Sequence, residues 1–393
     1  MVVKVKNYLL ERNWESFVFK RLNEVIHKHK NNPNAYAVFD FDNTSIIMDI
    51  EDNLMIYLLE NLQYKLTPNA LYNVLTDNFF KEDLSLPWSD SSEKVTGYNL
   101  AFDIVESYKW LYDAYITHPN KSELVLEEVK DSDNYKTFAA KLRYFHMYAN
   151  TYLFRQPSKT WVTYLFAGYT LEEFETIARK SLRAAQKREY AHVIFESSPN
   201  LLGKAGLIKS EYKSGLSVPE ELLELYRTLK EVGITTYIVS ASPRALVQIA
   251  IKEFGYEINA SQIIAMEVKT DKNNVLLPAM ADEHYITREH GKTEVIKNVI
   301  MPKHNAHEPI AMFGDSIGDY DMMQTFTNAD LNVIFNCHRT DEFVELVNLA
   351  VAQYNKEEAQ FVLQGRDENA GKFIPSQKTI SFGDKIARLY KEK

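Results

Sequence analysis

The sequence predicts an α/β protein, a doubly wound parallel sheet interrupted by an inserted helical segment. Two observations carry this. Short apolar runs alternate with helix-spaced segments from residue 216 onward, which is the signature of repeated β-α units. A further run of the same kind, Tyr36–Phe39, stands far upstream and ends at two aspartates, as a buried parallel strand does at the edge of a site. Between these parts, apolar residues recur at three- and four-residue spacing and strand-like runs are scarce.

Taken in order, residues 1–30 carry helical spacing (Leu9, Trp14, Phe17, Leu22, Val25, Ile26), closed by Asn31-Asn32-Pro33-Asn34. The strand Tyr36–Phe39 follows, so residues 1–50 make an N-terminal unit with the first core strand. Residues 51–215 read as a helical cap (Leu54, Tyr57, Leu58; Phe102, Val105, Tyr108; Leu171, Phe174, Ile177). Residues 216–393 complete the core and add a C-terminal extension. There, Ser217-Val218-Pro219-Glu220 has the form of a capping box with proline at the first helical position, opening a helix that runs to Gly233. Next come a strand at Thr235–Val239, a helix from about Pro243, a strand or hairpin beginning in Gln262–Lys269, and a helix around Lys292–Ile300. A strand at Pro309–Phe313, a helix near Tyr320–Phe326 and a strand at Leu331–Phe335 follow. Residues 364–393 are polar and carry no pattern.

At 393 residues the chain exceeds one ordinary core, and two to three domain-sized units are expected. A net charge of −9 argues against nucleic acid or an anionic membrane as the main partner, since both demand basic surfaces. The lone Cys337 rules out an internal disulfide framework, suits a reducing compartment and reads as a small core residue. Lys4, Lys6, Glu11 and Arg12 interrupt any apolar export core, and no window approaches the ~18–20 apolar residues of a span, so a cytoplasmic protein is expected. Oligomeric state leaves no mark in the sequence.

Three segments carry the chemistry. Asp40 and Asp42 sit two apart at a strand end, on the same side if the extended conformation persists. Two carboxylates this close need a cation, a shared proton or separate tasks. Mg²⁺ accepts one or two carboxylates together with substrate phosphate. One aspartate can then attack phosphorus while the other, kept protonated, serves the leaving oxygen. The plainer reading is a pair of solvated aspartates in a turn. Thr44 offers a hydroxyl and an N–H to a phosphate, or caps the residues after it. Ser240 and Ala241 close the next strand, where a hydroxyl and free N–H groups at a helix start make a phosphate seat; capping by Ser242 is the alternative. Lys292 at a helix start opposes the helix dipole and so invites an anion, or is a surface lysine. Gly314-Asp315-Ser316-Ile317-Gly318-Asp319 puts two carboxylates one helical turn apart, able to face one cation, or forms a loop of solvated aspartates.

In this order the segments resemble the haloacid dehalogenase superfamily, over roughly residues 35–50 and 220–340. The likeness implies a Rossmann-like core with an inserted cap, Asp40 as the nucleophile that becomes an aspartyl phosphate, and Asp42 as general acid and then base. It further implies phosphate binding by Thr44, Ser240, Ala241 and Lys292. Mg²⁺ would be held by Asp40, the main-chain carbonyl of Asp42, and Asp315, with Asp319 close behind. The acid at Asp42 favours a phosphatase or mutase within the superfamily. Phe39-Asp40-Phe41-Asp42-Asn43-Thr44-Ser45, Asp49-Ile50-Glu51-Asp52, Phe166-Ala167-Gly168-Tyr169-Thr170-Leu171 and Tyr237-Ile238-Val239-Ser240-Ala241 are similar to the phosphoserine phosphatase branch, and most to phosphorylcholine phosphatases. A phosphomonoesterase for a small phosphorylated, amine-bearing metabolite is the expectation. A phosphotransferase or mutase, and a non-catalytic binder on the same fold, are the alternatives. Asp49, Glu51 and Asp52 face a cationic head group or simply favour a helix start. Trp88, Tyr108, Trp110, Trp161 and Tyr164 form an aromatic cage or pack in the core. His284, His290, His304 and His307 read as surface residues.

Overall fold

The computed structural model describes residues 7–77, 95–119, 121–149 and 161–391. Six strands form one parallel sheet: β1 (Tyr36–Phe39), β2 (Thr235–Pro243), β3 (Ile263–Met266), β4 (Ala311–Gly314), β5 (Leu331–Phe335) and β6 (Phe361–Gln364). Their spatial order is β6-β5-β4-β1-β2-β3. The chain builds outward from β1 to β3, then crosses to β4 on the other side. That reversal leaves a crevice beyond the carboxyl end of β1, where α/β sheets place their sites. Both faces of the sheet are buried. Ala37, Phe39, Ile238, Phe313 and Val333 pack into one apolar cluster, and Tyr36, Val38, Tyr237, Met312 and Ile334 into the other. Alternate residues serve opposite layers, so the strands read as continuous apolar runs.

Several expectations need correction. The first helix spans Ser16–His29 only, because the buried Glu15 carboxylate caps it, accepting from Phe17 N and Val18 N. The helix after Pro219 runs Glu220–Glu231 without a side-chain cap, since the Ser217 hydroxyl donates to Gly371 O instead. β2 extends through Ala241 to Pro243, and the next helix starts at Arg244. His304 is buried, not exposed: its ring packs tilted against Tyr36, centroids 4.4 Å apart, and its Nε2 lies 3.0 Å from the Tyr237 hydroxyl.

Among the described residues, the segment between β1 and β2 carries helices from Ile50–Asn61 through Leu171–Lys187. It also contains a hairpin, His192–Glu196 paired with Lys209–Lys213, whose polar sequence hides it. The insert is tied to the core by main-chain bonds from Gly168 N to Leu276 O (3.1 Å) and Leu276 N to Tyr169 O (2.8 Å), within a second hairpin region after β3. Arg179 adds an ion pair to Glu253 at 2.7 Å. Among the described residues, no helix is long and apolar enough to cross a membrane.

Candidate active site

Asp40 extends β1 by one residue, its N–H donating to Phe313 O at 3.0 Å, so its carboxylate stands at the sheet's carboxyl edge. Ser45 donates to the Asp40 carbonyl (2.6 Å) and lies 2.8 Å from the Tyr226 hydroxyl, which fixes the turn that follows. Asp315 leaves β4 at the same edge. Gly314 just before it is required by close approach: a Cβ there would lie 2.5 Å from Cγ of Asp319. Asp319 turns back on its own loop, its Oδ2 accepting from the N–H groups of Asp315 (3.0 Å) and Ser316 (3.3 Å). Asp40, Asp315 and Asp319 therefore form a buried trio whose ligand atoms all lie within 4.8 Å of one another.

Lys292 reaches into this trio. Its Nζ lies 2.7 Å from Asp40 Oδ1 and 2.8 Å from Asp319 Oδ1, and its side chain is almost wholly buried. The surface reading of this lysine is thereby excluded. Burial works against its charge, but Asp319 and Asp40 outweigh that and raise its pKa. Asp319 is pushed up to about 7, by burial first and then by the charge of Asp40. Asp40 Oδ1 also accepts from Phe41 N at 2.7 Å, whereas Oδ2 has no hydrogen bond among the described residues.

Asp42 takes a different environment. Its carboxylate lies outside the trio, accepting from Ile50 N (2.8 Å) and from the Ser242 hydroxyl (2.6 Å). Only its main-chain carbonyl is left to serve a cation. Burial, and then the field of Asp49, raise its pKa well above the ordinary carboxylate range. Ser242 is thus engaged by Asp42 and does not cap the following helix. Thr44 Oγ1 donates to Asp315 Oδ1 at 3.3 Å, and its N–H to Phe41 O, so it braces the turn and caps no helix. Ser240 is buried, with its Oγ accepting from Ser242 N at 3.1 Å and its carbonyl accepting from Thr287. Ala241 beside it is half-buried strand, so this seat is a strand end and not a helix start.

A family model for haloacid dehalogenase-like hydrolases matches residues 132–324. That range holds Ser240, Lys292, Asp315 and Asp319, and the parallel sheet brings Asp40 and Asp42 to them. The six-stranded parallel sheet has a haloacid dehalogenase-like fold. A conserved protein of unknown function from Anaerococcus prevotii DSM 20548 superposes with a TM-score of 0.84 at 28% identity, covering 96% of this chain and 99% of its own. A substrate-bound phosphoserine phosphatase complex is 12% identical with a TM-score of 0.34, over 77% of this chain and 85% of that one. A protein of unknown function from Bordetella pertussis Tohama I is 11% identical with a TM-score of 0.39, over 80% and 94%. Scores at the level of these last two carry no argument about activity. No curated protein sequence matches.

In this haloacid dehalogenase-like fold a cleft of about 250 Å³ opens beside the trio, between the insert and the core. Core residues Asn43, Cys337, Arg339, Arg366 and Glu368 line one side, and Asp52, Arg143, Glu211 and Lys213 of the insert face them. Arg339, Arg366 and Glu368 were not singled out by the sequence. Arg339 donates from Nε to Asp315 O (3.1 Å) and pairs through Nη2 with the Asp315 carboxylate. Arg366 holds Asn43, the left-handed residue (φ +57°) next to Asp42, through its main-chain and side-chain oxygens (3.3 and 3.1 Å). Glu368 joins Arg366 (2.6 Å) to Lys213 of the insert (2.9 Å). Burial pushes the Glu368 carboxyl up, but Arg366 and Lys213 dominate and bring it to about 2. The C-terminal extension thus links the insert to the turn that follows β1. Cys337 packs against the main apolar cluster and also borders the cleft, and burial pushes its thiol up to about 12.

The acidic cluster near the trio is already engaged. Asp49 caps the helix at Ile50, and Asp52 makes a bidentate pair with Arg143 (2.7 and 2.9 Å). Tyr212 is the one Tyr, Trp or Phe lining the cleft among the described residues. Tyr108 and Trp161 are core, Trp110 is exposed, Tyr164 is half-buried, and Trp88 lies outside the described residues.

Proposed function

We propose that the protein is a Mg²⁺-dependent phosphomonoesterase that acts on a small phosphorylated metabolite through an aspartyl phosphate on Asp40. One observation carries this reading: Lys292 is buried between Asp40 and Asp319, with Asp315 in the same trio, at the sheet's switch point. Three carboxylates are offset there by one lysine and one arginine, and their oxygens suit a hard cation. Asp40, Asp315 and the Asp42 carbonyl would hold Mg²⁺, with Asp319 behind. When bound, the ion supplies charge neutralisation for the phosphoryl oxygens.

The chain's own residues supply the rest. Asp40 Oδ2 attacks phosphorus as the bond to the leaving oxygen breaks. Lys292 clamps the phosphoryl charge. Asp42, kept protonated by burial and by Asp49, gives its proton to the leaving alkoxide. It then takes a proton from the water that attacks phosphorus, which frees Asp40 and inorganic phosphate.

The test is phosphate release with and without Mg²⁺, beside an Asp40→Asn control. The panel holds phosphorylcholine, phosphoethanolamine, phosphoserine, sugar phosphates and an aryl phosphate. Mg²⁺-dependent turnover lost in the control is expected. Undiminished release by Asp40→Asn would refute the mechanism. Phosphate passed to an added alcohol rather than to water would indicate a transferase or mutase, and binding without turnover a non-catalytic role.

A further inference from the structure

We propose that Arg339 reads a second anionic group on the substrate's leaving portion, a carboxylate or another phosphate, so that the preferred esters carry two anionic groups. The inference rests on the phosphomonoesterase reading for the first of those groups.

The backbone leading into Arg339 is fixed. His338 adopts a left-handed φ of +52°, its ring held by the Ser381 hydroxyl (2.7 Å) and Arg388 O (2.9 Å). Its N–H donates to Asn336 Oδ1 at 3.1 Å. From there Arg339 spends Nε and Nη2 on Asp315. Nη1 makes no hydrogen bond among the described residues, and the side chain, 35% exposed, lines the cleft.

The other cations of the cleft are largely spent. Arg143 grips Asp52 with both terminal nitrogens and donates from Nε to Glu211 O. Arg366 is taken up by Glu368 and Asn43, and Lys213 by Glu368. The acids Asp49, Asp52 and Glu368 are engaged in the same way. Glu211, 3.8 Å from the His192 ring, is 59% exposed and well screened by solvent. The cleft therefore offers a purely cationic head group little, and an anion the open edge of a guanidinium beside the catalytic centre. A planar guanidinium with spare N–H donors suits a carboxylate or phosphate.

Binding to the Asp40→Asn protein, measured by calorimetry with Mg²⁺, tests this without turnover. The probes are phosphoglycolate and phosphoserine, a sugar bisphosphate, and the singly anionic glycerol phosphate and phosphoethanolamine. The doubly anionic probes should bind about tenfold tighter. Adding Arg339→Gln should erase that preference, the doubly anionic affinities falling about tenfold relative to the singly anionic ones, and Arg339→Lys should retain part of it. Preference for the carboxylates alone, or the bisphosphate alone, supports the proposal and identifies the source. No preference, or equal weakening of both classes by Arg339→Gln or Arg339→Lys, overturns it. If preference holds while the wild type releases no phosphate, the hydrolase reading fails and Arg339 keeps its role. If the wild type hydrolyses singly anionic esters with no preference, the reverse is true.

Discussion

Among the described residues two lysines are buried, Lys141 and Lys292, and their surroundings differ in one respect. Lys141 of the insert is fully buried and faces a single carboxylate, Asp103, at 2.8 Å, with Leu202 O at 2.6 Å. Asp103 in turn accepts from Lys204 N (2.8 Å) and Ala205 N (2.7 Å). The charges balance, every polar partner is met, and burial lowers the lysine's pKa. Lys292 faces two carboxylates of a trio, and its pKa is raised. The first arrangement pins a loop to two helices. The second leaves negative charge in excess in a buried place, which is costly unless a cation or a charged ligand completes it.

The comparison can be broken at either end. Lys141→Met strands a buried carboxylate and should cost about 3–5 kcal/mol in urea unfolding. Asp40→Asn removes one of three crowded carboxylates and should leave stability unchanged or raise it, because Lys292 keeps Asp319. If Asp40→Asn destabilised as much as Lys141→Met, the trio would be a structural network and the contrast would be lost.

Glu368 sharpens the contrast from between the two regions. Its folded pKa of about 2 lies below the ordinary value of 4.5. The stability it adds is therefore complete above the unfolded value and disappears as pH falls through the folded one. Between about pH 6 and about pH 3 the wild type should lose about 2 kcal/mol that Glu368→Gln does not lose, read by urea unfolding at each pH. Parallel losses in the two proteins would show that Arg366 and Lys213 do not hold this carboxylate.

Much of the site was legible because its chemistry falls at strand ends. Asp40, Ser240 and Asp315 each follow an apolar run that is buried on both faces, and that pattern is local. Lys292 was legible only by its place in the series, since nothing local distinguishes a buried lysine from an exposed one. The cleft was not legible. Arg339, Arg366 and Glu368 stand in polar stretches without periodicity, and Arg366 meets Asn43 across 323 residues of chain. The one signal for Arg366 and Glu368 was Arg-x-Glu three residues after the apolar run Phe361–Leu363. Ser217-Val218-Pro219-Glu220 misled for the opposite reason: its local form is that of a cap, but a distant carbonyl at Gly371 takes the hydroxyl.

The central claim is that the trio and Lys292 form an incomplete charge cluster awaiting a cation and a phosphoryl group. Thermal unfolding with Mg²⁺ and BeF₃⁻, singly and together, tests it most directly. The account predicts a rise in Tm with both present that exceeds the sum of the separate effects and vanishes in Asp40→Asn. No joint rise in the wild type, or the same rise in the variant, would contradict it.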